Sequence, residues 1–223
     1  MAVNLTNYRH VQEKLQPFHA QLVAVSKTKP AGSIQALYDA GQRIFGENYV
    51  QEMVEKEGLL PKDIQWHFIG HLQSNKVKYI APFVSMVHGV DSLKLLQEIN
   101  KQAAKNGRVI DCLLQVHIAT EETKFGLNEA ELNALLENAA GLPNVRIAGL
   151  MGMASNTDDL AQVRSEFRQL KALQVAVADR FFKGTDTFRE LSMGMSGDFE
   201  IALEEGSTLV RIGSLLFGAR NYA

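Results

Sequence analysis

The sequence has 223 residues, of which 46% are hydrophobic and 22% charged, and its formal net charge is -2 at pH 7. This nearly balanced charge, without a cluster of Lys or Arg, argues against a dedicated nucleic-acid-binding protein, and no apolar run approaches the roughly 18 residues that a membrane-spanning helix needs. Residues 1–16 are too polar for a secretory signal, and Cys112 is the only cysteine, so we expect no intrachain disulfide and a cytoplasmic location.

Short apolar runs alternate with amphipathic segments along the whole chain. In chain order, the pattern predicts a helix over 4–17, a strand over 22–27, a helix over 33–41, strands over 43–48, 65–70 and 86–91, a helix over 91–107, a strand over 111–118, a helix over 128–141, a strand over 146–153, a helix over 158–182, and strands over 190–195 and 209–213. The strands are apolar nearly throughout rather than alternating, which is typical of parallel strands covered on both faces.

Eight strands with helices between them predict an α/β fold, a single (β/α)8 TIM-type barrel with an extra N-terminal helix. An open, doubly wound sheet is the alternative, because hydrophobic periodicity does not show whether a sheet closes on itself. Eight copies of the same unit favour closure. No linker rich in Pro, Gly or Ser divides the chain, so we predict one domain over residues 1–223.

Several polar residues lie at the carboxyl ends of the predicted strands, where barrels of this kind place their functional sites. They supply one amine, one guanidinium, one amide and a set of small residues that would all face a common mouth. These residues are Lys27, Asn48, Ser196, Arg211, Gly213 and Ser214.

Two neighbouring loops near the end of the sequence favour a phosphate site. Ser196 and Gly197 precede a predicted helix start, and Gly213 and Ser214 follow the last strand. Backbone N–H groups at a helix start bind phosphate because they lack partners within the helix, and barrels often hold a phosphate in the loops after strands seven and eight. A tight turn would explain Gly and Ser in either loop alone, but two adjacent loops favour phosphate binding.

Lys27 ends an apolar strand, where an ammonium group is costly. Desolvation lowers the pKa of a lysine and leaves part of it as the neutral amine that a carbonyl group needs. A phosphate held across the barrel mouth would bring the aldehyde of a ligand to that amine, and pyridoxal phosphate is such a ligand. Arg211 is then a candidate partner for the ring nitrogen. Without these neighbours, Lys27 would be interpreted as a surface lysine.

Other patterns do not predict a site. His67 and His71 are four residues apart, but their segment is a predicted strand and Phe68 stands where a metalloprotease helix has glutamate, so we predict no metal site. Cys112 lies in an apolar run and is predicted to pack in the core.

Seven segments resemble a known family: AVSKTKP (24–30), FGENYVQE (45–52), WHFIGHLQSNK (66–76), ETKFGL (122–127), GLMGMA (149–154), LSMGMSGDFEIAL (191–203) and VRIGSLLFG (210–218). Over essentially the whole chain they are similar to the pyridoxal phosphate homeostasis proteins, the YggS/PROSC family. The resemblance implies a barrel like the N-terminal domain of alanine racemases, with pyridoxal 5'-phosphate carried by Lys27 as an internal aldimine. It further implies that Ser196, Gly213 and Ser214 cradle the phosphate, that Arg211 faces the pyridine nitrogen and that Asn48 lies on the cofactor face.

Two functional hypotheses of different class remain, a cofactor carrier and an amino-acid racemase. An arginine beside the ring nitrogen opposes its protonation and weakens the ring as an electron sink, although alanine racemases share this feature. Racemisation also needs acid/base groups on both faces of the substrate, and the second group of racemases comes from an additional C-terminal domain that we do not expect here. Tyr49, Tyr79 or His71 could replace that group.

We therefore predict a non-catalytic carrier, with no catalytic residue of its own, that buffers and delivers pyridoxal phosphate inside the cell. Its expected partners are pyridoxal phosphate and apo pyridoxal phosphate enzymes. We expect neither a nucleic-acid nor a membrane partner, and we expect a monomer.

Overall fold

Eight parallel strands form a closed barrel in the order β1 to β8. The structure is a computed structural model that describes residues 3–121 and 125–218. The strands are β1 (Gln21–Val25), β2 (Ile44–Glu47), β3 (Gln65–Phe68), β4 (Met86–Val90), β5 (Ile110–Gln115), β6 (Val145–Met151), β7 (Glu190–Ser192) and β8 (Leu209–Ile212). The barrel closes where β1 pairs with β8, with Leu22 opposite Val210 and Val23 opposite Arg211. The predicted barrel is confirmed, and the open sheet is wrong.

Helices separate the strands and cover the outside of the barrel. Within the described residues they are α1 (Leu5–Leu15), α2 (Ala31–Asp39), α3 (Val50–Leu59), α4 (Val77–Ile80), α5 (Leu93–Lys105), α6 (Glu129–Asn138), α7 (Leu160–Phe181), α8 (Phe199–Glu204) and α9 (Ser214–Phe217). α1 is the expected extra N-terminal helix. None of the described helices has both the length and the apolar character to span a membrane.

Sequence alternation along the strands separates two apolar layers. On β8, Val210 and Ile212 pack outward into the core between strands and helices, whereas Leu209 belongs to the smaller cluster inside the barrel. Because successive residues of a strand point to opposite faces, Arg211, which lies between Val210 and Ile212, points inward. The same alternation gives the barrel interior a set of buried polar residues, among them His67, His88, Ser192 and Arg211.

Several strands end earlier than predicted at their carboxyl ends, which is where the chain turns into the loops at the barrel mouth. β1 ends at Val25 instead of residue 27, because the C=O of Ser26 accepts from the N–H of Lys29 and closes a turn. β7 ends at Ser192 instead of residue 195, since Gly194 has a φ of 91° that extended backbone does not allow.

Candidate functional site

A pocket of about 290 Å3 opens at the carboxyl ends of the strands. All six residues singled out in the sequence line it, namely Lys27, Asn48, Ser196, Arg211, Gly213 and Ser214. Its volume is near the lower end of the range, roughly 300–1,000 Å3, that small-molecule sites occupy. The barrel thus brings residues from both ends of the sequence into one cavity.

Lys27 stands at the corner of a strained turn. It is partly buried and is followed by Thr28, whose φ is 63°. A positive φ at the third position of a turn is normally supplied by Gly or Asn, and in a β-branched residue it costs roughly 1–3 kcal/mol. The surrounding contacts must therefore hold this turn, and they place the Lys27 side chain at the pocket wall instead of continuing the strand.

Asn48 follows β2 directly and lines the same pocket. Its Oδ1 atom is buried and has no hydrogen-bond partner among the described residues. A buried acceptor without a partner is costly, and such groups are concentrated where a ligand or an ion supplies the missing contact. Asn48 therefore offers an acceptor at the pocket wall.

The loops after β7 and β8 form another wall of the pocket. Ser196, in the first loop, accepts a hydrogen bond at 3.3 Å from the N–H of Gly213, in the second. Ser214 begins α9 and is exposed to solvent. Two hydroxyl groups and glycine backbone therefore lie side by side, which is a donor set suited to a phosphate group.

A second lysine of the pocket, Lys29, ties the Lys27 turn to α9. Its Nζ atom donates to the C=O of Phe217 at 3.1 Å and to the C=O of Gly218 at 3.3 Å. These carbonyls lie at the end of α9, where helix carbonyls lack internal partners. Lys29 thus links the amine side of the pocket to the serine side.

Arg211 forms the buried end of the pocket and is 4% exposed. Its Nη1 atom donates to Ser192 Oγ at 2.6 Å, and Nη2 donates to the C=O of Gly152 at 3.0 Å. Burial lowers the pKa of Arg211 to about 10, so the guanidinium is still charged at neutral pH. These two bonds fix its plane, and the group has five N–H donors in total.

A chain of hydrogen bonds continues from Arg211 across the barrel interior. Ser192 Oγ lies 2.9 Å from His88 Nδ1, and His88 Nε2 lies 3.0 Å from His67 Nδ1. Since Arg211 only donates, we assign Ser192 as donor to His88 and His88 as donor to His67, which gives the hydroxyl hydrogen an acceptor. Burial lowers the pKa of His67 to about 3 and that of His88 well below its usual value. Both rings are therefore neutral at pH 7.

Two other depressions are poorer candidates for an anionic cofactor. One of about 660 Å3 lies between α5 and α6, and its described lining carries the carboxylates of Asp91 and Glu131 but no Lys or Arg. The other, of about 400 Å3, meets the candidate pocket at Asn48. Tyr49, His71 and Tyr79 line this second depression and not the candidate pocket.

The sequence pattern missed several residues of the site. Lys29, Ile69, Met153 and Met195 also line the pocket, and so does Gly197, which the sequence placed with Ser196 in the first phosphate loop. The inward-facing chain to His88 was also missed. The sequence signal that could have revealed this chain is a polar residue inside an otherwise apolar strand, such as His88 in MVHGV of β4 and Ser192 in ELS of β7. Residues 122–124 of the ETKFGL segment lie outside the described residues.

A parallel barrel with an amine, a buried guanidinium and two serine-bearing loops at its carboxyl end defines a class of cofactor-binding barrels. The protein-family model for the N-terminal domain of alanine racemase matches residues 5–221. The pyridoxal phosphate homeostasis protein of Aquifex aeolicus is 44% identical over 204 residues, which cover 91% of this chain and 88% of that protein.

Solved structures agree with this match. PipY of Synechococcus elongatus PCC7942 is 36% identical, with 96% of this chain and 99% of that chain covered, and was solved without PLP (TM-score 0.90) and with PLP bound (TM-score 0.88). The chain belongs to the family of pyridoxal phosphate homeostasis proteins, and the resemblance inferred from the sequence segments is confirmed.

Proposed function

We propose that this chain binds pyridoxal 5'-phosphate in the pocket at the carboxyl ends of the strands and maintains its intracellular supply by buffering and delivery, without substantial catalysis. The observation that carries the proposal is the meeting of Lys27, Arg211 and the serine-bearing loops in one cavity of fitting size. The names of the relatives and the PLP bound to PipY support it.

Each residue has a defined task toward the cofactor. When bound, the cofactor supplies an aldehyde that condenses with a primary amine, so that a carbon–nitrogen double bond forms and the oxygen leaves as water. Lys27 provides that amine. Ser196, Gly213 and Ser214 hold the phosphate, and Asn48 contributes a contact at the wall. Arg211 donates to the ring nitrogen from a position fixed by Ser192 and Gly152.

The groups that line the pocket support the proposed absence of turnover. Its described lining contains no His, Tyr, Asp or Glu, and besides Lys27 and Arg211 its only titratable side chain is Lys29. The amine of Lys29 already donates to two carbonyls of the α9 end. A positive guanidinium at the ring nitrogen also opposes its protonation, which lowers the ability of the ring to stabilise a carbanion. A racemase is the alternative function, favoured only by the family model of the alanine racemase N-terminal domain.

The binding proposal is tested by titrating the purified protein with pyridoxal 5'-phosphate and following absorbance. We expect a saturable new band at one equivalent of ligand, lost on reduction with borohydride. Pyridoxine 5'-phosphate, which lacks the aldehyde, should bind without producing the band. A titration without any spectral change would contradict the proposal.

The carrier proposal predicts transfer of cofactor without turnover. Loaded protein mixed with an excess of an apo pyridoxal phosphate enzyme should restore that enzyme's activity, while the loaded protein alone should leave L-alanine unracemised over hours. Chiral chromatography of the amino acid is the measurement. Sustained conversion of L- to D-alanine would favour the racemase instead.

The phosphate role of the two loops gives a third prediction. Replacing Ser196 and Ser214 together by alanine should weaken pyridoxal 5'-phosphate binding about ten- to a hundred-fold, since each hydroxyl contributes a hydrogen bond to a charged group. Affinity for pyridoxal, which has no phosphate, should change little. Equal losses for both ligands would place the phosphate elsewhere.

We further propose that residues 1–223 act as one domain and as a monomer in the cytoplasm, with pyridoxal phosphate and its apo enzymes as partners and neither nucleic acid nor membrane. A single buried thiol, Cys112, suits a reducing compartment. Cell fractionation tests the location, and the molar mass from light scattering tests the oligomeric state.

A further inference from the structure

A buried cluster of charges lies behind the Lys27 turn. Lys56, on α3, is 5% exposed, and its Nζ atom lies 2.6 Å from Glu47 Oε1 and 2.6 Å from Glu52 Oε1. Glu47 is fully buried, whereas the Glu52 side chain keeps 22% of its surface exposed. Burial raises the pKa of Glu47, and the adjacent Lys56 ammonium opposes that rise. An ammonium at this depth is explained by its two carboxylates.

The cluster reaches the residues on both sides of Lys27. On one side, Lys56 Nζ donates to the C=O of Ser26 at 2.7 Å, and Ser26 Oγ donates to Glu47 Oε1 at 2.6 Å. On the other side, the N–H of Thr28 donates to Glu52 Oε1 at 2.6 Å. The backbone of Lys27 is therefore fixed before and after the residue by groups on one helix and one strand.

These contacts supply what the strained turn needs. Thr28 holds its positive φ only if neighbouring groups stabilise it, and a charged carboxylate is a strong acceptor for its N–H. A buried ion pair is weak evidence for stability, because the cost of desolvation offsets the attraction of the charges. Its clearest effect is to fix geometry, and here the geometry that it fixes belongs to the residue bearing the reactive amine.

We propose that the pair Lys56–Glu52 is a positioning device for the Lys27 amine, holding the 26–28 turn so that the amine is presented to the ligand aldehyde. This proposal rests on the proposed function. Holding the backbone in advance removes part of the entropy cost of ordering the amine for condensation. The affinity of a ligand that is held only by its phosphate does not depend on the position of this amine. Lys56 and Glu52 act through Lys27 and do not themselves contact the pocket.

The test compares Glu52→Ala with Glu57→Ala. Both residues are on α3 and each makes one ion pair to a lysine, at 2.6 Å to Lys56 and 2.7 Å to Lys62. The described contacts of Glu57 do not reach the 26–28 turn. Two quantities are measured for each full-length variant: the rate of the absorbance change with pyridoxal 5'-phosphate, and the affinity for pyridoxine 5'-phosphate.

Glu52→Ala should slow formation of the covalent adduct about ten-fold, the equivalent of one lost charge-assisted hydrogen bond, with affinity for pyridoxine 5'-phosphate unchanged. Glu57→Ala should match the wild-type protein in both the rate of adduct formation and the affinity for pyridoxine 5'-phosphate. Glu52→Gln, which keeps an oxygen acceptor for Thr28, should give a smaller slowing and serves if the alanine variant does not fold.

Each other outcome overturns a defined part of the account. Equal rates in Glu52→Ala and Glu57→Ala, with an adduct in the wild-type protein, would overturn the positioning role alone. Parallel losses for both ligands, or failure of both Glu52 variants to fold, would make the pair a structural element instead. A wild-type protein that forms no adduct would overturn the proposed function as well.

Discussion

Replacing Lys27 by alanine should abolish the covalent adduct with pyridoxal 5'-phosphate, so that the absorbance change falls to background. The reason is that Lys27 supplies the reactive amine at the pocket wall, whereas the other amine of the pocket, that of Lys29, donates to the carbonyls of Phe217 and Gly218. The phosphate loops are untouched, so the variant should still bind pyridoxine 5'-phosphate. Absorbance titration of the variant and of the wild-type protein, with and without borohydride, is the measurement.

Lys29→Ala is the matched control, because Lys29 lines the same pocket two residues away. Its Nζ atom donates to carbonyls at the end of α9, so its role is to hold α9 in place. We expect Lys29→Ala to keep the adduct, with some loss of affinity because α9 is less firmly held. An adduct that survives in Lys27→Ala and disappears in Lys29→Ala would show that Lys29, and not Lys27, carries the reactive amine.

The second large effect is a loss of stability in acid caused by the two buried histidines. In the folded protein burial holds the pKa of His67 at about 3 and lowers that of His88 well below its usual value, whereas both titrate near 6.5 when unfolded. Below pH 6.5 the unfolded chain therefore binds more protons, and the free energy of unfolding falls as the pH falls. From pH 7 to 5 the protonation of His67 in the unfolded chain should remove about 2 kcal/mol from the free energy of unfolding, and the lowered pKa of His88 adds to the loss in the same direction.

Urea unfolding at pH 7.0, 6.0 and 5.0 measures this dependence. His67→Gln removes one of the titrating rings, so its free energy of unfolding should fall less steeply with acid. Below pH 6.5 its slope should be smaller than that of the wild-type protein by about 1.4 kcal/mol per pH unit. His10→Gln, on the exposed face of α1, should keep the wild-type slope. A His67→Gln slope equal to that of the wild-type protein would show that His67 titrates normally in the fold. The same protonation would break the chain of hydrogen bonds that holds Ser192 against Arg211.

The architecture could be predicted because each strand of a covered parallel barrel is a short apolar run, and those runs can be read directly from the sequence. Strand ends were less predictable. Met193 and Met195 continue the apolar pattern of β7, yet Gly194 between them turns the chain with a φ of 91°. α3 was not predicted, and it proves to carry both members of the Lys56–Glu52 pair.

The pocket residues could be predicted for a related reason, since strand ends of a closed barrel meet at one mouth. The groups that support them could not. His88 and Ser192 are 104 residues apart in sequence and meet only because β4 and β7 face each other across the barrel. The contact of Lys56 with Ser26 likewise depends on where α3 lies against β1, which local patterns do not specify.

A crystal structure of the wild-type protein soaked in pyridoxal 5'-phosphate tests the central claim most directly. We expect continuous density from Lys27 Nζ to the ligand, the phosphate between Ser196 and Ser214, and the ring nitrogen within hydrogen-bond distance of Arg211. Density joined to another lysine, or a ligand whose phosphate lies away from these two loops, would contradict the account.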